Sequence, residues 1–153
     1  MAGQRFTMPA GVHLVLLRDD EVLLLLRKGG FGDGCWSVVA GHLDGQESAS
    51  AAMVREAYEE AGIVINPRDL HFSCIMHCRF PDREPMYLFY VCRSWQNEIR
   101  NMEPDKCCGL QFFPARLLPE NMVEYVREGI RCSLAGQQYC EYGWDNSPGG
   151  KVS

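Results

Sequence analysis

The chain has 153 residues, enough for one domain that buries a core without disulfide or metal staples. Apolar residues make up 46% of it and charged residues 23%, which excludes a disordered tail, a collagen-like repeat and a coiled coil. The net charge of -5 argues against binding a nucleic-acid polymer, but it is compatible with a small phosphorylated ligand held by local charges or a metal.

No apolar run approaches the roughly 20 residues that span a bilayer, and the first residues lack the apolar core of a signal peptide. We therefore expect a cytoplasmic protein with no membrane partner. Eight cysteines are present, and in a reducing cytosol we expect them to remain free thiols.

The first half of the chain has the pattern of three strands followed by a helix. Residues 12–18 and 22–27 are apolar runs separated by Asp19-Asp20-Glu21, which predicts a β-hairpin. A glycine-rich loop at 29–34, a short strand at 35–39 and a second loop at 41–46 follow. Residues 48–61 contain neither glycine nor proline, and Gly62 comes next, so we predict a helix with a glycine C-cap.

The second half of the chain is again rich in strand patterns. We predict strands at 70–80, 86–95 and 110–113, a loop at 96–108, and a helix at 120–132 that Pro119 begins. The order ββ-β-α-ββ-β-α indicates an α+β layered domain. Since no linker or internal repeat divides the chain, we predict a single domain over residues 1–153 and leave the structure of the tail from Gly136 open.

Three glutamates crowd one face of the first predicted helix. At about 100° per residue, Glu56, Glu59 and Glu60 fall within about 100° of one another, and like charges at this spacing repel. Carboxylates at this density suit a hard divalent cation, and the preceding glycine-containing loop lets backbone groups approach it. A solvated charged face is the alternative. The opposite face is expected to pack on a sheet through Val54, Ala57, Tyr58 and Ala61.

The stretch from residue 41 to residue 63 resembles the Nudix box, G-x5-E-x7-R-E-U-x-E-E-x-G-U, where U is apolar. Every fixed position is present at the right spacing, namely Gly41, Glu47, Arg55, Glu56, Glu59, Glu60, Gly62 and Ile63. The resemblance extends to residues 31–36 and 103–107 and covers most of residues 10–120. The chain is therefore similar to the Nudix hydrolases, whose fold is an α/β/α sandwich with a mixed central sheet.

The resemblance implies an enzyme that uses Mg²⁺ (or Mn²⁺) to hydrolyse a small nucleotide substrate. The bond cleaved would be the diphosphate linkage of a nucleoside di- or triphosphate or of another nucleoside diphosphate derivative. Glu56 and Glu60 are implied metal ligands, and Glu59 is implied to be a third ligand or the catalytic group that activates water.

Further roles follow from the same resemblance. A backbone carbonyl commonly completes the metal shell at the position of Ala40, where this chain has Val39-Ala40 in place of the usual Pro-Gly. Arg55 and Glu47 are implied to form a structural ion pair that holds the loop onto the helix, which places Arg55 beside the catalytic groups.

Substrate contacts are assigned to four residues outside the glutamate cluster. Phe31 and Trp36 are candidates for stacking on a base, with core packing as the alternative. Arg27 is a candidate for a phosphate contact or a solvated strand end, and His42 for a minor substrate contact or a structural role.

The loop before the last predicted strand supplies a further carboxylate. Many relatives place a metal ligand or a general base here, and Glu103 and Asp105 flank Pro104 in this chain. Proline biases the preceding residue to an extended conformation, so Glu103 is the preferred candidate for the catalytic base. A solvated turn is the alternative.

The run His71-x2-Cys74-x2-His77-Cys78 also suggests a zinc site. On an alternating strand, the two cysteines would share one face and the two histidines the other, and no second pair with zinc-finger spacing follows. We therefore predict buried free thiols and no structural zinc.

Two alternatives to a hydrolase remain. One is a non-catalytic Nudix-fold nucleotide-binding module, which would be expected to have lost its box glutamates. The other is a Nudix-fold isomerase, which belongs to a longer family with different motifs. Neither the identity of the nucleotide nor the oligomeric state can be predicted from the sequence, and a homodimer stays open.

Overall fold

The computed structural model of the protein describes residues 3–145, so the predicted domain boundaries at residues 1 and 153 lie outside the described part. Eight strands, two helices and one 3₁₀ turn form within it. In chain order they are β1 (Ala10–Arg18), β2 (Glu21–Arg27), β3 (Trp36–Ser37), β4 (Ala40–His42), α1 (Ala49–Ala61), a 3₁₀ turn (Pro67–Asp69), β5 (Leu70–Cys78), β6 (Met86–Cys92), β7 (Cys107–Pro114), α2 (Glu124–Leu134) and β8 (Tyr139–Tyr142).

The strands form one mixed sheet in the order β3-β2-β1-β6-β5-β8, to which β4 is added on β1 and β7 on β2. Strands β1 and β6 run parallel over seven residue pairs, as do β5 and β8 over four, whereas the remaining pairs are antiparallel. The central strand β1 is buried from residue 11 to residue 17, because both faces of the sheet are covered.

One helix covers each face of the sheet. Met53 and Ala57 of α1 join one buried cluster, and Val126 and Ile130 of α2 join another on the opposite side. The predicted α+β fold, with a mixed sheet between helices, is therefore confirmed.

Local signals define the first helix closely. The Ser48 hydroxyl accepts a hydrogen bond from the N–H of Ala51 at 3.1 Å, and Gly62 ends the helix in the left-handed region at φ 70°. The predicted packing face is confirmed for Ala57 and Ala61, which are fully buried, but it is wrong for Tyr58, which is 55% exposed, and Met53 is buried as well. The buried stripe thus runs alongside the glutamates and brings them against the sheet.

Long-range pairing changes several other elements. The predicted hairpin forms, but only two residue pairs join β1 to β2, because β1 continues along β4 and β6. The predicted loop at 41–46 begins as strand β4, which three residues are enough to form by pairing with β1. The second helix begins at Glu124 instead of 120, because residues 121–123 hydrogen-bond to Trp36 in an extended conformation.

A β-bulge between Phe72 and Cys74 alters the predicted facing of β5. His71 pairs with Val91 and His77 pairs with Met86, so the two histidines lie on opposite faces and not on a common one. All eight cysteines lie within the described residues and are free thiols there. Neither helix in residues 3–145 is long and apolar enough to cross a membrane.

Candidate active site

A cleft of about 680 Å³ opens where β4, the second half of α1 and the loop before β7 meet. Five carboxylates line it, three of them from α1, one from the loop before β7 and one from the loop after β4: Glu56, Glu59, Glu60, Glu103 and Asp44. The structure therefore brings together the box glutamates and the loop glutamate that the sequence analysis singled out, although 43 residues separate Glu60 from Glu103 in the chain.

The close approach of β4 to α1 depends on Gly41. A Cβ atom built at this position would overlap the carboxyl group of Glu56. Glycine is therefore required at position 41, the first position of the box, because a side chain there would not fit between the strand and the carboxylate.

We predict that Gly41→Ala displaces the Glu56 carboxylate and lowers the turnover number by at least about tenfold. Overpacking of this kind typically costs about 1–3 kcal/mol of stability, so the fold should survive. Gly109→Ala is the matched control, because Gly109 also lies in a strand but has open space around its Cβ position. Thermal unfolding and steady-state kinetics of both variants test this, and equal turnover in the two would contradict it.

Glu60 is the most enclosed of the glutamates. Its Oε2 atom accepts a hydrogen bond from the backbone N–H of Ala40 at 3.2 Å. Burial raises the pKa of Glu60 to about 8, and the neighbouring Glu56 and Glu103 carboxylates contribute to this rise. Burial also raises the pKa of Glu56, although the Arg55 guanidinium opposes the shift there.

The raised pKa of Glu60 predicts how stability depends on pH in chelator-treated protein. The folded state retains a proton on Glu60 up to pH of about 8, whereas an unfolded glutamate releases it near 4.5. The contribution of Glu60 to the free energy of unfolding is therefore fully present below pH of about 4.5, and it decreases as pH rises from there towards 8. Burial lowers the pKa of His13 to about 3. This shift makes stability increase with pH, but only below the ordinary histidine pKa of about 6.5, so it does not oppose the effect of Glu60 above that pH.

The test is the melting temperature in EDTA between pH 6.5 and 8. We expect it to fall as pH rises in the wild type and to fall less in Glu60→Gln, which has no proton to lose. A wild-type melting temperature that rises over this window would contradict the shift.

Arg55 lies at the centre of an ion-pair network beside the cleft. Its Nη2 and Nε atoms lie 2.7 and 3.1 Å from the two carboxylate oxygens of Glu47, which places the loop against the helix. Its Nη1 atom lies 2.9 Å from Glu56 and 3.2 Å from Glu59. The guanidinium lowers the pKa of Glu47, and these carboxylates raise the pKa of Arg55. Arg55 is not among the residues that line the cleft, and its contacts favour a role in positioning the glutamates beside it.

Ala40 presents its backbone to the same glutamates. Because the N–H and C=O groups of one strand residue point to the same side, the N–H bond to Glu60 also turns the Ala40 carbonyl towards the carboxylates. The carboxylates of the cleft, together with a nearby carbonyl, form an all-oxygen donor set, which fits a hard divalent cation. Glu56, Glu59 and Glu60 with the Ala40 carbonyl are the groups that could hold it.

The loop that carries Glu103 is fastened to the end of α1. The N–H groups of Arg100 and Met102 donate to the carbonyls of Ala61 and Glu60, at 2.9 and 3.2 Å. The Asn101 side chain then bridges the loop, accepting from the N–H of Glu103 and donating to the carbonyl of Cys107. These bonds place the Glu103 carboxylate next to Glu56 and Glu60. Asp105 is exposed and does not line the cleft.

Four cationic side chains line the same cleft: Arg27, Lys28, Arg83 and Lys106. Arg27 Nε donates to the carbonyl of Phe31 at 2.6 Å, which holds the glycine-rich loop in place. Sequence reasoning found only Arg27. Lys28 and Lys106 come together through a backbone hydrogen bond of 2.9 Å between β2 and the distant loop, which no local pattern indicates.

The innermost part of the cleft is aromatic. His13 is 2% exposed, and its Nε2 atom lies 3.0 Å from the hydroxyl of Tyr125, while its ring lies between those of Tyr87 and Phe89. Its Nδ1 atom is buried and has no hydrogen-bond partner within the described part of the chain. Because His13 is neutral, this end of the cleft can accept an uncharged, hydrogen-bonding ring. The only feature of the sequence that could have indicated this part of the cleft is the position of a polar residue, His13, within the apolar run of β1.

The predicted substrate contacts separate into two groups. Phe31 and His42 line the cleft, and the Arg83 guanidinium lies 5.6 Å from the centre of the Phe31 ring. Trp36 does not line the cleft, and its ring packs on Phe113 at 4.7 Å between centroids. We correct the assignment of Trp36 to core packing, because its pairing with β2 turns the side chain towards the α2 side of the sheet.

Comparison with known proteins shows the family. A family model described as the NUDIX domain matches residues 7–133. Phosphatase NudJ of Escherichia coli K12 is 30% identical over 112 residues, which are 71% of this chain and 72% of the relative. These matches define a hydrolase of the pyrophosphohydrolase class. Within that class, the chain belongs to the Nudix family.

Solved structures share the fold. A MutT NUDIX hydrolase from Burkholderia pseudomallei superposes with a TM-score of 0.76 at 25% identity, covering 83% of this chain and 98% of the other. A bifunctional NMN adenylyltransferase/ADP ribose pyrophosphatase from Francisella tularensis, complexed with AMP and a manganese ion, gives a TM-score of 0.66 at 20% identity, covering 84% and 42%. The second likeness concerns the fold alone.

Proposed function

We propose that the protein hydrolyses the diphosphate linkage of a nucleoside di- or triphosphate, or of another nucleoside diphosphate derivative, with Mg²⁺ or Mn²⁺ as cofactor. The observation that carries this proposal is the composition of one cleft. It holds five carboxylates, four cationic side chains and an uncharged aromatic end. A nucleotide has the matching parts, namely a charged phosphate chain and an uncharged base.

The carboxylate side would hold the cation through Glu56, Glu59, Glu60 and the carbonyl of Ala40. When bound, a divalent cation neutralises pyrophosphate charge and lowers the pKa of a coordinated water. Glu103 is our candidate for the base that accepts the proton of the attacking water. Support for a metal comes from the all-oxygen donor set of the cleft.

The opposite side would hold the substrate. Arg27, Lys28 and Lys106 line the cleft and are candidates to pair with phosphate oxygens. Phe31 and His42 are exposed and lie at the opening, whereas the buried His13 and its partner Tyr125 lie at the inner end. We favour nucleoside triphosphates within this class, because the Glu103-Pro-Asp-Lys segment resembles that of small members acting on them.

The test is a nucleotide panel assayed with Mg²⁺ and with Mn²⁺, in which orthophosphate and pyrophosphate are measured separately. Nucleoside triphosphates, nucleoside diphosphates, nucleotide sugars and dinucleotides form the panel, and each product identifies the bond cleaved. Chelator-treated enzyme without metal is the control. Absence of release from every nucleotide with both metals would contradict the proposal, and nucleotide binding without release would favour a binding module.

A further inference from the structure

Three buried thiols meet on the side of the sheet that α2 covers. Cys74 of β5, Cys132 of α2 and Cys140 of β8 have sulfur atoms that all lie within 4.8 Å of one another. The Sγ atoms of Cys74 and Cys140 are 3.5 Å apart. Cys74 and Cys132 are fully buried and Cys140 is 7% exposed, so the cluster lies just beneath the surface at β8.

The sulfur separations suit a tetrahedral metal ion. A zinc–sulfur bond is about 2.3 Å long, which puts two tetrahedral thiolate ligands about 3.8 Å apart. The separation of 3.5 Å between Cys74 and Cys140 lies close to this value, and no pair in the cluster exceeds it by more than about 1 Å. Three thiolates could therefore reach one ion after small side-chain rotations.

An acidic side chain completes the donor set. Glu128 lies one helical turn before Cys132, and its Oε1 atom is 3.7 Å from the Cys132 sulfur. Burial raises the pKa of all three thiols, and the charge of the Glu128 carboxylate adds to the rise at each of them.

Arg131 balances the charge of this group. Its Nη2 and Nε atoms lie 2.6 and 3.0 Å from the two oxygens of Glu128, and Nη2 also lies 3.4 Å from the Cys132 sulfur. With three thiolates, one carboxylate and one divalent ion, the site would carry two negative charges, of which the guanidinium offsets one. The carboxylate is thus oriented by a second group, as ligands of metal sites commonly are.

Two other buried cysteines show what an isolated thiol looks like in this protein. Cys92 and Cys107 each donate to a nearby backbone carbonyl, at 3.1 Å. Neither belongs to a cluster of metal-binding side chains among the described residues. Packing in the core accounts for these two thiols. It does not account for three converging thiols with a carboxylate next to one of them.

We propose that Cys74, Cys132, Cys140 and Glu128 form a second metal site, distinct from the cleft, that binds Zn²⁺ or another thiophilic divalent cation. On binding, each of the three thiols releases its proton to solvent as a metal–sulfur bond forms, so affinity falls in acid. The ion would join β8 and α2 to β5 and so stabilise the end of the described chain. This proposal departs from the prediction of no structural zinc, which was argued from His71, Cys74, His77 and Cys78, a set that shares only Cys74 with this cluster.

Cobalt is the probe that distinguishes this site from the catalytic one. The full chain is reduced with a phosphine, freed of metal with a chelator and titrated with Co²⁺ under anaerobic conditions. We expect one equivalent to produce a thiolate-to-cobalt charge-transfer band in the near ultraviolet and strong visible bands of a tetrahedral ion. One equivalent of Zn²⁺ should bleach both. The oxygen ligands of the cleft cannot produce the charge-transfer band, so this result does not depend on enzymatic activity or on the proposed function.

Cys132→Ser should abolish the charge-transfer band, whereas the matched control Cys92→Ser should keep it. Cys140→Ser is a second variant at a less buried position, in case Cys132→Ser does not fold. Added Zn²⁺ should raise the melting temperature of the wild type and of Cys92→Ser by more than that of the cluster variants, because Zn²⁺ bound in the cleft would affect all of them alike. A wild-type protein that gives no charge-transfer band with excess Co²⁺ would overturn the proposal, as would a band that survives in both cluster variants.

Discussion

Replacing Glu60 by glutamine is expected to lower the turnover number at least about 100-fold, the scale of losing one key electrostatic group at a reaction centre. Glu60 is the most enclosed carboxylate of the cleft, and it contacts the N–H of Ala40 in the segment that also presents the Ala40 carbonyl. Glutamine keeps an oxygen that can accept this hydrogen bond but removes the negative charge. The change therefore tests charge at the proposed metal site with little alteration of shape.

The fold should tolerate the same substitution. Because the pKa of Glu60 is about 8, this side chain is largely uncharged in metal-free protein at neutral pH, and glutamine resembles that form. We expect similar melting temperatures for wild type and Glu60→Gln in EDTA. Added Mg²⁺ or Mn²⁺ should raise the melting temperature of the wild type and have a much smaller effect on the variant.

Glu124→Gln is the matched control, because Glu124 is an exposed helical glutamate of α2 that does not line the cleft. It should leave both turnover and metal stabilisation unchanged. Glu56→Gln should behave like Glu60→Gln, since its carboxylate is the one that Gly41 accommodates. Wild-type turnover in either cleft variant at saturating metal would refute the assignment of these residues as ligands.

The first helix and its carboxylates could be predicted because their signals are local. Ser48 and Gly62 cap the helix through contacts within four residues, and helical geometry alone places Glu56, Glu59 and Glu60 on adjacent turns. Their burial could not be predicted in the same way. It depends on β4, a three-residue strand that exists only because β1 pairs with it.

Other parts of the site depend on contacts between distant segments. The bond between His13 and Tyr125 joins residues 112 positions apart. A bulge in β5 reverses the side to which His71 points, and alternation along the strand cannot reveal a bulge in advance. The thiol cluster brings together three separate elements, one of which is the short and polar strand β8. Spacing rules that examine one segment at a time do not detect such groups.

Glu103 differs from these residues, because the sequence indicated it only weakly and its position in the structure adds support to that prediction. The hydrogen bonds from the loop to Ala61 and Glu60 hold Glu103 over the end of α1, and its side chain is 28% exposed beside the other carboxylates. The Lys106 ammonium lies 3.5 Å from it on the solvent side. A carboxylate that is fixed, partly exposed to water and close to the proposed ligands is well placed to accept a proton.

Glu103→Gln is therefore expected to lower kcat by about 100-fold or more at neutral pH, with little change in KM, because general-base catalysis contributes on this scale in the transition state. Asp105→Asn is the matched control two residues away, and its kinetics should be unchanged because Asp105 is exposed and does not line the cleft. The measurement is steady-state kinetics at several metal concentrations.

Recovery of activity at high metal would make Glu103 a ligand instead of a base, and a raised KM with unchanged kcat would make it a substrate-positioning residue. Unchanged kcat and KM would show that Glu103 is only part of a solvated turn. The proton acceptor would then be sought at Glu59, because it is the most exposed of the three carboxylates of α1 in the cleft.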